Sequence, residues 1–73
     1  MAELRFRKAK KVIQTYKTAY DFADDVENLK IFPPSMIERV KSSAMQNAFM
    51  LCMPGTKIDF GNGYMLECVK SED

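Results

Sequence analysis

The stretch from Pro33 to Met53 constrains the fold more than any other part of this sequence. Two prolines open it and Pro54-Gly55 follows it, so a helix in this stretch has to begin and end within it. Ser35 and Glu38 have the spacing of a capping box, which predicts a helix over residues 35–53. One side of this central helix is apolar at helical spacing, through Ile37, Val40, Ala44, Ala48 and Leu51. The rest of the chain must cover that side.

The central helix also carries a second apolar ridge, made of Met45, Phe49 and Met53 with Met50 nearby. Either the C-terminal part of the chain covers this ridge and makes it core, or a second copy or another protein covers it. The chain contains six methionines, and flexible thioethers suit adaptable binding surfaces. If the ridge is core, its expected partners are Ile58, Phe60, Tyr64 and Leu66.

Upstream, apolar residues recur at steps of three and four, which predicts one long amphipathic helix over about residues 8–29. The residues of this stripe are Ala9, Val12, Ile13, Tyr16, Ala19, Tyr20, Ala23 and Val26. We expect this helix to pack on the central helix through Val12, Ile13, Tyr16, Tyr20 and Ala23. Phe22 lies at the edge of the stripe, where it would wrap around the neighbouring helix or stay partly exposed.

Gly61-Asn62-Gly63 separates two alternating segments and predicts a β-hairpin with strands at residues 56–60 and 64–69. A three-residue loop is expected, because it brings the apolar residues of both strands onto one face. The cross-strand pairs that this loop gives are Ile58 with Leu66 and Phe60 with Tyr64.

At the N-terminus, Leu4 and Phe6 alternate with charged residues, which indicates a short strand over residues 3–6 or an extended arm. The predicted fold class is therefore α+β: two helices and a C-terminal hairpin, to which the N-terminal strand could add. With 73 residues, the chain is expected to form a single small domain over residues 1–73. Hydrophobic residues make up 47% of the sequence, which argues against disorder.

Several classes of chemistry are disfavoured by composition. The sequence contains no histidine, the commonest general base and metal ligand. Cys52 and Cys68 have too few companions for a zinc site and are expected to be free, buried thiols. No apolar run approaches the roughly 20 residues of a membrane-spanning helix, and the N-terminus lacks the apolar core of a signal peptide, so we expect a cytoplasmic protein. We predict no enzyme activity, catalytic residue, cofactor or metal.

Charge is balanced overall, with 11 basic and 10 acidic residues, but it is unevenly placed. Basic residues dominate the first twenty positions, whereas Asp21, Asp24, Asp25 and Glu27 follow closely. On one long helix this order opposes the macrodipole, which favours acidic residues at the N-terminus and basic residues at the C-terminus. One interpretation is a solvated face without function. The other two interpretations are a protein partner with a complementary surface and antiparallel self-association into a homodimer. The aspartates supply too few converging oxygens for a hard cation.

The predicted function is a small, non-enzymatic regulatory or inhibitory protein that acts through protein–protein contact. Its compact, methionine-rich composition is what we expect of a phage or bacterial accessory protein. The sequence does not identify the partner. The candidate contact residues are Lys10, Lys11, Lys17, Asp21, Phe22 and Asp25.

The alternative is a winged-helix-like nucleic-acid-binding protein, because two helices followed by a hairpin match the order of such folds. Its candidate phosphate contacts are Arg5, Arg7, Lys8 and Lys11. We favour protein contact, because the central helix offers few side chains able to read bases and the acidic segment would repel DNA.

Overall fold

The computed structural model describes residues 2–70, which form two helices and a four-stranded antiparallel sheet. In chain order the elements are β1 (Ala2–Lys8), β2 (Lys11–Tyr16), α1 (Ala19–Leu29), α2 (Pro34–Gln46), a 3₁₀ turn (Met50–Cys52), β3 (Lys57–Gly61) and β4 (Tyr64–Lys70). The strand order across the sheet is β2-β1-β4-β3. The predicted α+β class with a C-terminal hairpin is confirmed.

Both helices pack on one face of the sheet, and the core lies between these two layers. Its buried hydrophobic residues are Leu4, Phe6, Ala19, Phe22, Ala23, Val26, Phe32, Val40, Ala44, Leu51, Leu66 and Cys68. The ring of Phe6 occupies the centre, with its centroid 5.2 Å from that of Phe22 and 5.8 Å from those of Phe32 and Tyr64. At these separations aromatic rings attract one another in addition to burying apolar area.

Strand β1 confirms the N-terminal strand predicted over residues 3–6 and excludes the extended arm. It pairs with β4 along its whole length, from Ala2 opposite Lys70 to Lys8 opposite Tyr64. A two-stranded hairpin alone is barely stable in water, and β1 supplies the third strand that it needs.

The first half of the predicted helix over residues 8–29 is wrong. Lys11–Tyr16 forms β2, which runs antiparallel to β1, and α1 begins only at Ala19. Thr18 caps α1, because its hydroxyl oxygen accepts a hydrogen bond of 3.1 Å from the backbone N–H of Asp21.

A β-bulge explains why β2 resembles a helix in sequence. Phe6 pairs with Gln14 and Arg7 with Val12, so Ile13 is an extra residue without a partner. Ile13 packs against the core, whereas its neighbour Val12 is exposed. The bulge thereby breaks the alternation of a regular strand and leaves steps of three and four residues.

The hairpin occupies the predicted residues to within about one position, but its loop is shorter than predicted. Asn62-Gly63 forms a two-residue turn in which both φ angles are positive, at 54° and 85°, as in a type I′ turn. Tyr64 therefore pairs with Gly61 and not with Phe60. A bulge at Phe60 then restores the predicted pair of Ile58 and Leu66, so the predicted apolar face is correct.

Helix α2 is shorter than the predicted helix over residues 35–53, and the predicted capping box is wrong. Pro33 is the N-cap and has no side-chain hydrogen bond, while Pro34 occupies the first helical turn. Proline suits that position, because its φ angle is already helical and the N–H it lacks would be unpaired there. After Gln46 the chain continues in turns to the 3₁₀ segment. Within residues 2–70, no helix is long and apolar enough to cross a membrane.

Candidate protein-binding surface

Four large apolar side chains that follow or end helix α2 are exposed to solvent. The exposed fractions are 49% for Met45, 82% for Phe49, 47% for Met50 and 45% for Met53. We call these four residues the Met-Phe patch. Of the alternatives that the sequence left open for this ridge, burial under the hairpin is wrong.

The hairpin cannot cover the patch because its apolar face is already used. The ring of Phe60 stacks on that of Phe22, with centroids 5.7 Å apart, and meets that of Phe32 at 5.9 Å. Pairing with β1 places the hairpin against Phe22 of α1 and Phe32, which lies between the two helices, and the patch is left on the outside.

The backbone that carries the patch is held by hydrogen bonds at successive turns. Three of them run from Leu51 N to the carbonyl oxygen of Asn47, from Cys52 N to that of Phe49, and from Met53 N to that of Met50, at 2.9–3.3 Å. The side chain of Leu51, from the same segment, is only 3% exposed and anchors it in the core. The patch therefore lies on a fixed support, with its side chains turned outward.

Beyond the patch, the chain is tied to strand β4. Gly55 N donates to the carbonyl oxygen of Cys68, and Cys68 N donates to that of Thr56, both at 2.8 Å. These bonds place the segment beside the end of β4 at which β1 begins, because Leu4 pairs with Cys68. The two tight turns of the sheet lie at its other end, where Ala9 N donates to the carbonyl oxygen of Gly63.

The Met-Phe patch lies in a segment of the sequence that contains no charged residue. Between Lys41 and Lys57 there is no acidic or basic residue, although 29% of the chain is charged. This uncharged run includes the whole Met-Phe patch together with exposed neutral residues such as Gln46 and Cys52. It is the sequence signal that, combined with the methionine content, could have marked the surface.

The two cysteines differ in environment. Both are free thiols, as expected, but only Cys68 is buried, whereas Cys52 is exposed. The Cys52 thiol donates to the carbonyl oxygen of Ala48 at 3.4 Å. Burial raises the pKa of the Cys68 thiol, and the neighbouring Cys52 adds to that effect. Cys68 is therefore a protonated packing residue, and the expectation of burial is wrong for Cys52.

The contact residues predicted from the sequence do not form one surface. Lys10 and Lys11 lie at the β1–β2 turn, and Lys17 and Asp21 lie beside the start of α1; all four are exposed. Phe22 is 0% exposed, so its predicted contact with a partner is wrong: the ring fills the core between α1 and the sheet.

Asp25 is half-buried and serves an internal contact. Its carboxylate accepts a hydrogen bond of 2.6 Å from the hydroxyl of Tyr16. Burial, together with this hydrogen bond, raises the pKa of Tyr16 far above its usual range. The bond fastens the edge strand β2 to helix α1.

The predicted charge order along one long helix is replaced by a different arrangement. The basic residues of the first twenty positions lie mainly on β1, β2 and their turn, and α1 carries the acidic ones. Asp21 is in the first turn of α1, where a negative charge is favourable. The conflict with the macrodipole, and the argument for self-association drawn from it, therefore disappear. Within residues 2–70, no three acidic or cysteine side chains are placed to hold a metal ion.

The candidate phosphate contacts are mostly engaged within the protein. Arg5 lies 3.8 Å from the carboxylate of Glu3, and Arg7 donates to that of Glu67. The Lys8 ammonium lies 4.9 Å from the centre of the Tyr64 ring, and Lys11 is exposed. The hairpin does not project as a wing, because β4 is paired on both sides.

Comparisons with protein-family models, curated protein sequences and solved structures found no match to this chain. The fold and the surface define it as a small α+β protein with an exposed, uncharged Met-Phe patch. The Met-Phe patch is therefore the feature from which we infer a function.

Proposed function

We propose that this chain is a small, non-enzymatic regulatory or inhibitory protein that acts by binding another protein chain through the Met-Phe patch. The observation that carries the proposal is the 82% exposure of Phe49 among three half-exposed methionines. The largest exposed apolar patch of a small protein often serves an interaction. Aromatic residues and methionine are enriched at the centres of protein interfaces.

Phe49 is the expected anchor of this contact. Complete burial of an exposed phenylalanine side chain contributes about 1.5–3 kcal/mol. The methionines around it can adjust their three side-chain torsions to the shape of the opposing surface. Because Leu51 and the backbone hydrogen bonds already fix the segment, little ordering is required on binding. The mechanism is steric: the bound chain occupies a surface of its partner.

We further propose that this activity takes place in the cytoplasm. The two free thiols support that setting, since cytoplasmic reductants keep thiols reduced.

Nucleic-acid binding is the second candidate function. It is supported by the exposed lysines at the β1–β2 turn, Lys8, Lys10 and Lys11, which lie close together in sequence. It ranks below protein contact because Arg5 and Arg7, the other candidate phosphate contacts, already have carboxylate partners.

The proposal is tested by site-specific photo-crosslinking in cells that naturally produce the chain. A benzophenone amino acid replaces Phe49 in one variant and Val12 in a matched control, since Val12 is 42% exposed but lies on β2, outside the patch. Irradiation should give a discrete protein adduct from position 49 and not from position 12. Absence of an adduct at position 49, or equal adducts from both positions, contradicts the proposal.

A further inference from the structure

We infer that a second copy of this chain occupies the Met-Phe patch and forms a two-fold symmetric dimer. This inference rests on the proposed function and goes further, because it names the partner. Its support is the distribution of charge around the patch and the area that the patch offers.

The distribution of charge favours a contact of the patch with itself. In a two-fold symmetric interface, the same surface is used by both copies, so a charge near the axis lies close to an identical charge. Like charges in such a contact are costly. The run from Ser42 to Thr56 contains no charged residue, so the patch residues and their chain neighbours bring no like charges to the axis.

Other faces of the molecule lack this property. The open face of the sheet carries Arg5, Arg7 and Glu67, and the outer side of α1 carries Asp21 and Glu27. A strongly charged partner would find no complementary charge within the run that contains the patch. An uncharged apolar surface is the complement that the patch requires, and a second patch supplies one.

The available area fits a weak dimer. Taking about 200 Å² for a large side chain, the exposed fractions of the four patch residues correspond to roughly 450 Å² per copy. Standard interfaces bury about 800 Å² per partner. The exposed neutral neighbours Gln46, Cys52, Pro54 and Gly55 would supply much of the remainder. The dimer should therefore be weak and reversible.

Phe49 should lie near the two-fold axis, because it is the most exposed residue of the patch. Phe49→Asp would bring two carboxylates together across the axis, and Phe49→Lys would bring two ammonium groups together. Each change opposes dimer formation by repulsion as well as by loss of apolar area. In a mixture of the two variants, a mixed dimer places the introduced aspartate of one copy opposite the introduced lysine of the other. This restored attraction is expected only if position 49 contacts position 49.

The test is sedimentation equilibrium of the full chain from about 10 μM to about 1 mM. Wild type should shift from the mass of one chain toward that of two. Phe49→Asp and Phe49→Lys should each weaken association about tenfold or more, whereas their equimolar mixture should recover much of it. Val12→Asp should associate as wild type does. Thermal unfolding of each variant identifies loss of fold, and none of the three substitutions should lower the midpoint substantially, because each lies at an exposed position.

A wild-type chain that stays monomeric at about 1 mM overturns the inference, as does wild-type-like association of Phe49→Asp or no recovery in the mixture. These failures differ from failure of the proposed function. A monomeric chain whose position 49 still crosslinks to a different protein retains the proposed function and loses only the second copy as its occupant.

Discussion

Arg7 donates a hydrogen bond to the carboxylate of Glu67 across the two central strands, on the sheet face turned away from both helices. The strand register places Glu67 opposite Arg5, so the bond to Arg7 runs diagonally. The Glu67 side chain is only 9% exposed although no helix covers it. The open face of the sheet is therefore held by a shielded ion pair.

Removing the charge of Glu67 should destabilise the fold. Glu67→Gln should lower the free energy of unfolding by about 1–3 kcal/mol, because it leaves a shielded guanidinium without its anion. Arg5→Met provides the control, since the pair of Arg5 with Glu3 is longer and more exposed, and should cost less than about 1 kcal/mol. Urea unfolding followed by circular dichroism measures both. Equal losses in the two variants would show that the Arg7–Glu67 pair contributes no more to stability than the Arg5–Glu3 pair.

Phe22 and Phe49 should respond in opposite ways to truncation. Phe22→Ala should lower the free energy of unfolding by about 3–5 kcal/mol, because it empties the centre of the core. Phe49→Ala should change it by less than about 0.5 kcal/mol, because the ring is exposed. Urea unfolding at low protein concentration gives both values without a contribution from association. A large loss in Phe49→Ala would mean that the patch is part of the core.

The hydrogen bond between Tyr16 and Asp25 should make stability depend on pH in the alkaline range. The pKa of Tyr16 is raised in the folded state, so the folded protein holds this proton more tightly than the unfolded chain does. Its contribution is complete below about pH 10, the pKa of an unfolded tyrosine, and falls as the pH rises above that value.

The measurement is the difference in unfolding free energy between wild type and Tyr16→Phe, taken at several pH values from neutral to alkaline. This difference should shrink above about pH 10. Comparison within the pair removes the contributions of lysines, which titrate in the same range. A difference that stays constant with pH would show that the hydroxyl has no such role.

Nucleic-acid binding by the basic turn should be weak or absent. With Arg5 and Arg7 paired to carboxylates, the lysines at positions 8, 10 and 11 are too few for stable binding to a duplex. Fluorescence anisotropy with a labelled DNA duplex should show no saturable binding at about 50 mM salt. Binding that weakens with salt and is lost in a Lys10→Glu, Lys11→Glu double variant would instead establish the second candidate function.

The local parts of the fold could be predicted from the sequence. The strand near Leu4 and Phe6 and the face shared by Ile58 and Leu66 follow from alternation along neighbouring residues. Strand β2 could not be predicted from its pattern, because the bulge at Ile13 replaces the alternation with helix-like steps. β-branched residues in that stretch, such as Val12 and Thr15, were the remaining local signal for a strand.

The exposure of the candidate site could not be predicted, because it depends on pairing between distant parts of the chain. Whether the hairpin covers Phe49 or Phe22 is decided by the pairing of β1 with β4. Phe22 lies at the edge of one apolar stripe and Phe49 within a second apolar ridge, and neither local sequence shows which ring the hairpin covers. The sequence pattern therefore identified the residues of the Met-Phe patch but assigned Phe22 to a partner contact and left open whether the hairpin or a partner covers the patch.

Another protein chain should cover the Met-Phe patch when the protein acts. Hydroxyl-radical footprinting tests it most directly, by comparing oxidation of Met45, Phe49, Met50 and Met53 in dilute purified protein with their oxidation in the producing cells. Tyr20, which is 57% exposed on α1, serves as the internal reference. The four patch residues should be protected in cells relative to Tyr20. Equal oxidation of the patch in both samples would contradict it.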